Sequence, residues 1–250
     1  MRFVIVAMAV VFLSAIVSGQ KRPVTIFLAG DSTMAAKLPE KRPETGWGEK
    51  LGQHFKNGRV HIENRAANGR STKTFISEGK WQGIIDDLKK GDYVFIQFGH
   101  NDSSKDKGER YTPPEDYRRN LVRFVNETRA KGGIPVLLTP VMRRRFDKDG
   151  KFYDTHGEYP DIVRSVAIEQ KVSLIDMHRL SEKVIVRYGV EDSRKLFLQL
   201  KPGENANYPN GIEDNTHFSP LGAEEMAKLA VGDIRGSTFG LSKLLKKLIS

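Results

Sequence analysis

Cysteine is absent from the 250 residues. That excludes disulfide frameworks, Cys-ligated zinc, iron–sulfur clusters and cysteine nucleophiles together. Sustained apolar runs are almost as scarce. The one candidate, Phe3 to Val17, is 15 residues long, against the roughly 20 that a spanning helix needs. No internal repeat, Pro/Ser-rich linker or low-complexity tract interrupts the chain. Collagen-like repeats and wholesale disorder are therefore excluded, and one domain is favoured. A chain of this length buries roughly 70–75% of its unfolded surface and needs no metal or disulfide staple to fold.

The apolar run begins after Met1-Arg2 and ends in small residues at Val17-Ser18-Gly19, before the polar Gln20-Lys21-Arg22. Residues 1–19 read as a secretory signal peptide, with an uncleaved anchor as the alternative. No cysteine follows, so a lipoprotein anchor is excluded. Without Arg2 the chain keeps 40 basic against 31 acidic residues, a net charge of +9. For an exported protein, periplasmic or secreted, that charge points away from nucleic acid and toward an acidic polysaccharide or envelope surface.

From Val24 onward, short runs rich in Val, Ile and Phe alternate with amphipathic stretches. Strands are expected at Val24–Leu28, Val60–Glu63, Tyr93–Phe98, Ile134–Thr139 and Ser173–Asp176. Helices are expected near Trp47–Phe55, Gln82–Lys90, Pro114–Lys131, Tyr159–Gln170, Arg179–Tyr188 and Pro220–Ile234. Strands each followed by a helix indicate an α/β domain, with a parallel sheet covered on both faces. Ligands of such sheets sit beyond the carboxyl ends of the strands, so chemistry is sought there.

Three segments stand out. Gly30-Asp31-Ser32 follows the first strand, and a nucleophilic serine needs a rigid exit turn, a base and oxyanion donors. The same tripeptide also reads as a helix cap. Asp214-Asn215-Thr216-His217 places a carboxylate three residues before an imidazole; a turn would bring both onto one side of a loop, where the acid orients the base. A solvated loop fits the same letters. Gly99-His100-Asn101-Asp102 follows the third strand, and an Asn amide there could donate to an oxyanion; it also reads as an ordinary turn.

Gly30-Asp31-Ser32, Gly69, Gly99-His100-Asn101-Asp102 and Asp214-x-x-His217 together resemble the four ordered blocks of the SGNH hydrolase superfamily. Ala29-Gly30-Asp31-Ser32-Thr33-Met34-Ala35, Gly46-Trp47-Gly48, Gly69-Arg70-Ser71 and Phe98-Gly99-His100-Asn101-Asp102 are similar to rhamnogalacturonan acetylesterases. The resemblance runs from about Val24 to Ile234. It implies a flavodoxin-like three-layer α/β/α sandwich around a five-stranded parallel sheet. It also implies a Ser32 nucleophile, a His217 base oriented by Asp214, and an oxyanion hole of the Ser32 and Gly69 N–H groups with the Asn101 side chain. The expected reaction removes acetyl groups from acetylated pectin without cofactor or metal. A lipase or thioesterase of the same superfamily and a catalytically inactive glycan-binding protein are the alternatives.

Arg143, Arg144 and Arg145 follow the fourth strand and are candidates for gripping galacturonate carboxylates, with solvated surface charge as the plainer reading. Asp147-Lys148-Asp149-Gly150 lacks the spacing of a calcium loop and is expected to form a hairpin turn. The six histidines show no paired ligand spacing, and His178 is expected to be structural. Trp47 and Trp81 read as core residues before sugar platforms. The basic tail 236–250 carries apolar residues at helical spacing over Leu241–Ile249. Docking on its own domain, self-association and membrane-surface binding all fit that pattern.

Overall fold

The structure is a computed structural model and describes residues 22–237 and 240–247. The leader expected over 1–19 lies outside the described residues. Five parallel strands form the central sheet: β1 (Val24–Gly30), β2 (Val60–Asn64), β3 (Tyr93–Gln97), β4 (Ile134–Leu138) and β5 (Ser173–Ile175), in the order β2-β1-β3-β4-β5. That is the flavodoxin-like order, whose crevice opens between β1 and β3 where the winding reverses. All five expected strands are present.

Alternation on each strand feeds two cores. Ile26 and Leu28 of β1, Phe95 of β3 and Val136 and Leu138 of β4 face one side. They pack against α1 (Gly48–Leu51), α6 (Met177–Asp192) and α7 (Pro220–Gly236). Phe27, Ala29, Val94, Ile96 and Leu137 face the other side. They meet α2 (Thr72–Ser77), α3 (Lys80–Asp87), α4 (Pro114–Ala130) and α5 (Tyr159–Glu169). Each such side chain contributes about 1.5–3 kcal/mol on full burial, and both faces of the sheet are thereby covered. Trp47 and Trp81 are fully buried, and their indole N–H groups donate to Gln97 Oε1 and to Glu127. They belong to the core and are no sugar platform.

Three elements, α2 and a pair of strands, depart from the sequence reading. α2 was not expected; Ser71 caps it with Thr74 in the reciprocal position usually held by Glu or Gln. β6 (Phe197–Leu200) and β7 (Ile212–Phe218) form a separate antiparallel pair beside the sheet. The Asp214–His217 segment is therefore part of a strand and not of a free loop.

The Asp147–Gly150 segment is a hairpin turn, closed by the Phe146–Phe152 bridge and by Asp147 Oδ1 accepting from the Asp149 and Lys151 N–H groups. The helical spacing of the tail does not yield an α-helix over 240–247. A 3₁₀ turn at Gly240–Leu244 runs into an antiparallel bridge between Leu245 and Phe55, with Lys56 N–H on Leu244 O and Lys246 N–H on His54 O. Leu241 and Leu245 are buried against the domain. Among the described residues no helix is long and apolar enough to cross a membrane.

Helix α7 seats the β6–β7 pair through Gly222, where an added Cβ would stand 1.7 Å from the Leu196 carbonyl oxygen. Gly232 on the same helix has nothing within 4 Å. Gly222→Ala should cost about 1–3 kcal/mol or more by overpacking, whereas Gly232→Ala should stabilise by about 0.5–1 kcal/mol. Urea denaturation midpoints should move in opposite directions; shifts of the same sign and size would show that α7 does not dock on that carbonyl.

Candidate active site

The β1 exit turn is held at both peptides that flank Ser32. Asp31 O accepts from Met34 N–H and Ala35 N–H, and Thr33 N–H donates to Asp31 Oδ1 at 2.9 Å. Carbonyl and N–H of a trans peptide point in opposite directions. The bonded Asp31 carbonyl therefore turns the Ser32 N–H the other way, and that N–H has no acceptor among the described residues. Behind the turn a buried chain runs from Trp47 Nε1 to Gln97, from Gln97 Nε2 to Thr33 Oγ1, and from Thr33 Oγ1 to Asp31 Oδ1.

Asp214 and His217 come from a bulge. Between the Phe197–Phe218 and Gln199–Glu213 pairs, the four residues Asp214-Asn215-Thr216-His217 of β7 lie opposite the single Leu198 of β6. In a regular strand residues three apart face opposite sides. Here Asp214 Oδ1 accepts the N–H groups of Thr216 (2.7 Å) and His217 (3.0 Å), folding the segment back on itself. Asp214 Oδ2 then meets His217 Nδ1 at 2.6 Å, and His217 Nε2 lies 2.8 Å from Ser32 Oγ. The carboxylate can only accept, so Nδ1 carries the proton and Nε2 is left to accept the Ser32 hydroxyl. Burial raises the Asp214 carboxyl, but hydrogen bonds from the His217 ring and from two backbone amides outweigh it and leave it below the usual range.

Two further donors face the same crevice. Asn68 O accepts from Arg70 Nη1 at 2.7 Å, which by the same peptide geometry turns the Gly69 N–H away from Arg70, with no acceptor among the described residues. Gly69 has φ +75°, and an added Cβ would meet the Arg110 guanidinium at 3.1 Å, so both conformation and space favour glycine there. Asn101 Nδ2 gives one hydrogen to Arg70 O at 3.0 Å and has a second to offer. Ser32, Gly69, Asn101 and His217 all line one cleft of about 720 Å³.

The three arginines separate. Arg144 is buried and turned away from the cleft: it donates to Ser193 Oγ, Val190 O and Asn215 Oδ1, and its N–H bonds Asn215 O. It braces the β7 bulge and cannot contact substrate. Arg143 lines the cleft but spends its guanidinium on His100 O and Thr155. Arg145 lines the cleft with a guanidinium that has no hydrogen-bond or ion-pair partner among the described residues, and so does Arg110, which the sequence did not single out.

Asp154, His156 and His178 bring one potential ligand atom each within 4.8 Å of the others, a grouping invisible in their spacing. Arg164, which can only donate, lies 3.3 Å from His178 Nδ1 and leaves the proton on Nε2, facing Asp154. His156 Nδ1 bonds Asp154 at 2.8 Å and its Nε2 faces His100 Nδ1 at 3.3 Å. Burial pushes His156 down to about 4, so it stays neutral near pH 7. The cluster is a hydrogen-bonded brace behind His100.

The chain matches the model of the GDSL-like Lipase/Acylhydrolase family over residues 28–224. It belongs to that family. It is 44% identical over 214 residues to the rhamnogalacturonan acetylesterase RhgT of Bacillus subtilis, covering 86% of this chain and 90% of that one. It is 38% identical over 211 residues to the probable rhamnogalacturonan acetylesterase YesY of the same organism, covering 84% and 92%. A crystal structure of the B. subtilis protein YxiM superposes with TM-score 0.74 at 25% identity, covering 87% of this chain and 58% of that one. The α/β architecture read from the strands and the resemblance stated from the four blocks both hold.

One buried acid beside the oxyanion block has a consequence for stability. Burial raises the Asp102 carboxyl to about 7, opposed by Thr72, whose N–H and Oγ1 both bond Oδ1, while Oδ2 has no partner. The unfolded value is about 3.9. A group raised on folding adds stability that is present below the unfolded value and lost as pH rises through the folded one. The stability of Asp102→Asn relative to the parent should therefore grow between pH 5 and pH 8 in thermal melts. A difference that is flat with pH would show that Asp102 does not titrate in this window.

Proposed function

We propose that the chain is a carbohydrate O-acetylesterase that removes acetyl groups from acetylated pectin, rhamnogalacturonan foremost, through an acetyl-Ser32 intermediate. The observation that carries the reading is the unbroken Asp214–His217–Ser32 chain, standing beside two backbone N–H groups without acceptors. Ser32 Oγ attacks the acetyl carbonyl as its proton passes to His217 Nε2, and Asp214 stabilises the imidazolium. The carbonyl oxygen, now an anion, takes hydrogen bonds from Ser32 N–H, Gly69 N–H and Asn101 Nδ2. Losing one such donor typically costs about 2.7–4 kcal/mol of barrier. The tetrahedral adduct collapses, and the sugar hydroxyl leaves with the proton from His217. Water then attacks the acetyl-serine, giving its proton to His217, and acetate departs as Ser32 is restored. Protein groups and water account for every proton and electron pair.

The cleft composition supports a polar substrate over a fatty acyl chain. Its lining carries no Leu, Ile, Val, Met or Phe, and its charged residues are Lys41, Lys107, Arg110, Arg143 and Arg145 against Glu44 and Asp106. A lipase groove needs apolar walls. Two relatives carrying rhamnogalacturonan acetylesterase names along most of the chain support the same choice. An acidic polymer suits the two unpaired guanidiniums, Arg110 and Arg145, since guanidinium grips carboxylates bidentately. The Phe3–Val17 run supports export, to the periplasm or beyond.

Ser32→Ala should abolish acetate release from acetylated rhamnogalacturonan with the fold intact. Release at the parental rate would end the acyl-enzyme reading, and faster turnover of long-chain acyl esters by the parent would favour the lipase alternative. Arg110→Ser with Arg145→Ser should raise KM on the polymer and weaken its salt dependence, leaving hydrolysis of p-nitrophenyl acetate within about threefold. Equal losses on polymer and small ester would assign the arginines to structure and not to carboxylate recognition.

A further inference from the structure

A cation lies behind the nucleophile with none of its side chain exposed. Lys37 extends from the segment after Ser32 and places Nζ against three acceptors: the Ser32 carbonyl oxygen, Asn68 Oδ1 at 2.9 Å and Glu44 Oε1 at 2.7 Å. An ammonium has three hydrogens, and here each has one acceptor. Burying an ion pair in place of apolar packing is often neutral or unfavourable for stability. The fold therefore gains little stability from choosing Lys37 over an apolar residue of the same length, and the reason for a charge has to be sought in what it touches.

One of its three acceptors is the carbonyl of Ser32, which offers its N–H to the cleft, and a second is on Asn68, whose peptide carries the Gly69 N–H. The Ser32–Thr33 peptide is pinned at both ends, its carbonyl by Lys37 and its N–H by Asp31 Oδ1. Asn68 is likewise pinned twice, its side chain by Lys37 and its carbonyl by Arg70 Nη1. The first pinning sets where Ser32 stands; the second sets the plane of the peptide that carries the Gly69 N–H. The two backbone donors sit on loops leaving different strands, β1 and β2, and Lys37 bonds both loops next to those donors. Glu44 is the counter-ion and lines the cleft edge.

We propose that Lys37 is a positioning residue for the oxyanion hole, holding the Ser32 turn and the Asn68–Gly69 peptide at the spacing a tetrahedral oxyanion requires. This rests on the reading of Ser32 as nucleophile. Lys37 touches neither substrate nor reacting atom, so its loss acts on the transition state and not on substrate binding. Misplacement of reacting groups by about 1 Å costs about 100-fold in rate.

The test is steady-state hydrolysis of p-nitrophenyl acetate by the full chain. Lys37→Met, which keeps the length without the charge, should lower kcat about 100-fold with KM within about threefold, and Lys37→Arg should recover part of the loss. Lys37→Met combined with Glu44→Gln leaves no unpaired charge and should fold as the parent does, yet stay slow. If Lys37→Met alone is insoluble, Asn68→Ala cuts one arm and spares the ion pair, and kcat should fall about tenfold. Parental kcat in folded Lys37→Met, in the double variant, or in Asn68→Ala would overturn the proposal. A Ser32→Ala control separates the two readings. An active control overturns the nucleophile and Lys37 together, whereas an inactive control beside fully active Lys37→Met overturns Lys37 alone.

Discussion

The hydrogen bond of 2.8 Å between His217 Nε2 and Ser32 Oγ joins residues 185 apart in the chain, and the site is organised around holding it. One partner stands at the end of a central strand, where the sheet fixes it. The other stands on a two-stranded appendage that shares no ladder with the sheet. The appendage is therefore tied down by other means: Gly222 lets α7 close on Leu196, Thr45 N–H bonds Phe218 O, and Arg144 reaches Asn215 inside the bulge. Two of these ties grip the backbone beside His217 and the third seats the helix behind it, and each bears on whether an imidazole nitrogen arrives within reach of a hydroxyl.

Charge is buried around the site on a scale that stability alone does not explain. Asp31, Lys37, Asp102 and Arg144 are all nearly inaccessible, and Asp31 and Asp102 each keep a carboxylate oxygen without a partner. Unsatisfied buried polar groups cost about 1–3 kcal/mol each. Here they surround the Ser32 turn and the Asn101 block, so the cost falls on the segments that must not move. The second core, on the α4 side, is by contrast built of Phe75, Trp81, Ile84, Leu121 and Phe124 and carries the folding without such expense.

Legibility in the sequence followed physical repetition. β1, β3 and β4 are largely apolar runs, mostly buried on both faces, and they stand out because both faces demand the same chemistry; the edge strands β2 and β5 are only half-buried and carry weaker patterns. β7 does not, because Ile-Glu-Asp-Asn-Thr-His-Phe has neither alternation nor an apolar run; its function has displaced the strand pattern. Ser32, Asp214 and His217 were legible as residue types at ordered positions, but the bulge that makes an i,i+3 pair face one way was not. Three consecutive arginines looked like one patch. Arg144 turns inward while Arg145 lines the cleft, a difference no composition can express. Lys37 and Arg110 went unnoticed for the opposite reason: each stands alone among polar neighbours, and its meaning lies in loops far off in the chain.

The distance between Ser32 and His217 also orders events in time. During synthesis the Ser32 turn, the Gly69 and Asn101 loops and the whole parallel sheet emerge before His217 does. On the proposed mechanism, a ribosome-bound chain that has passed β5 has a sheet and a cleft wall but no proton acceptor. Hydrolysis would then report the docking of the last antiparallel pair, the final long-range folding step, rather than collapse.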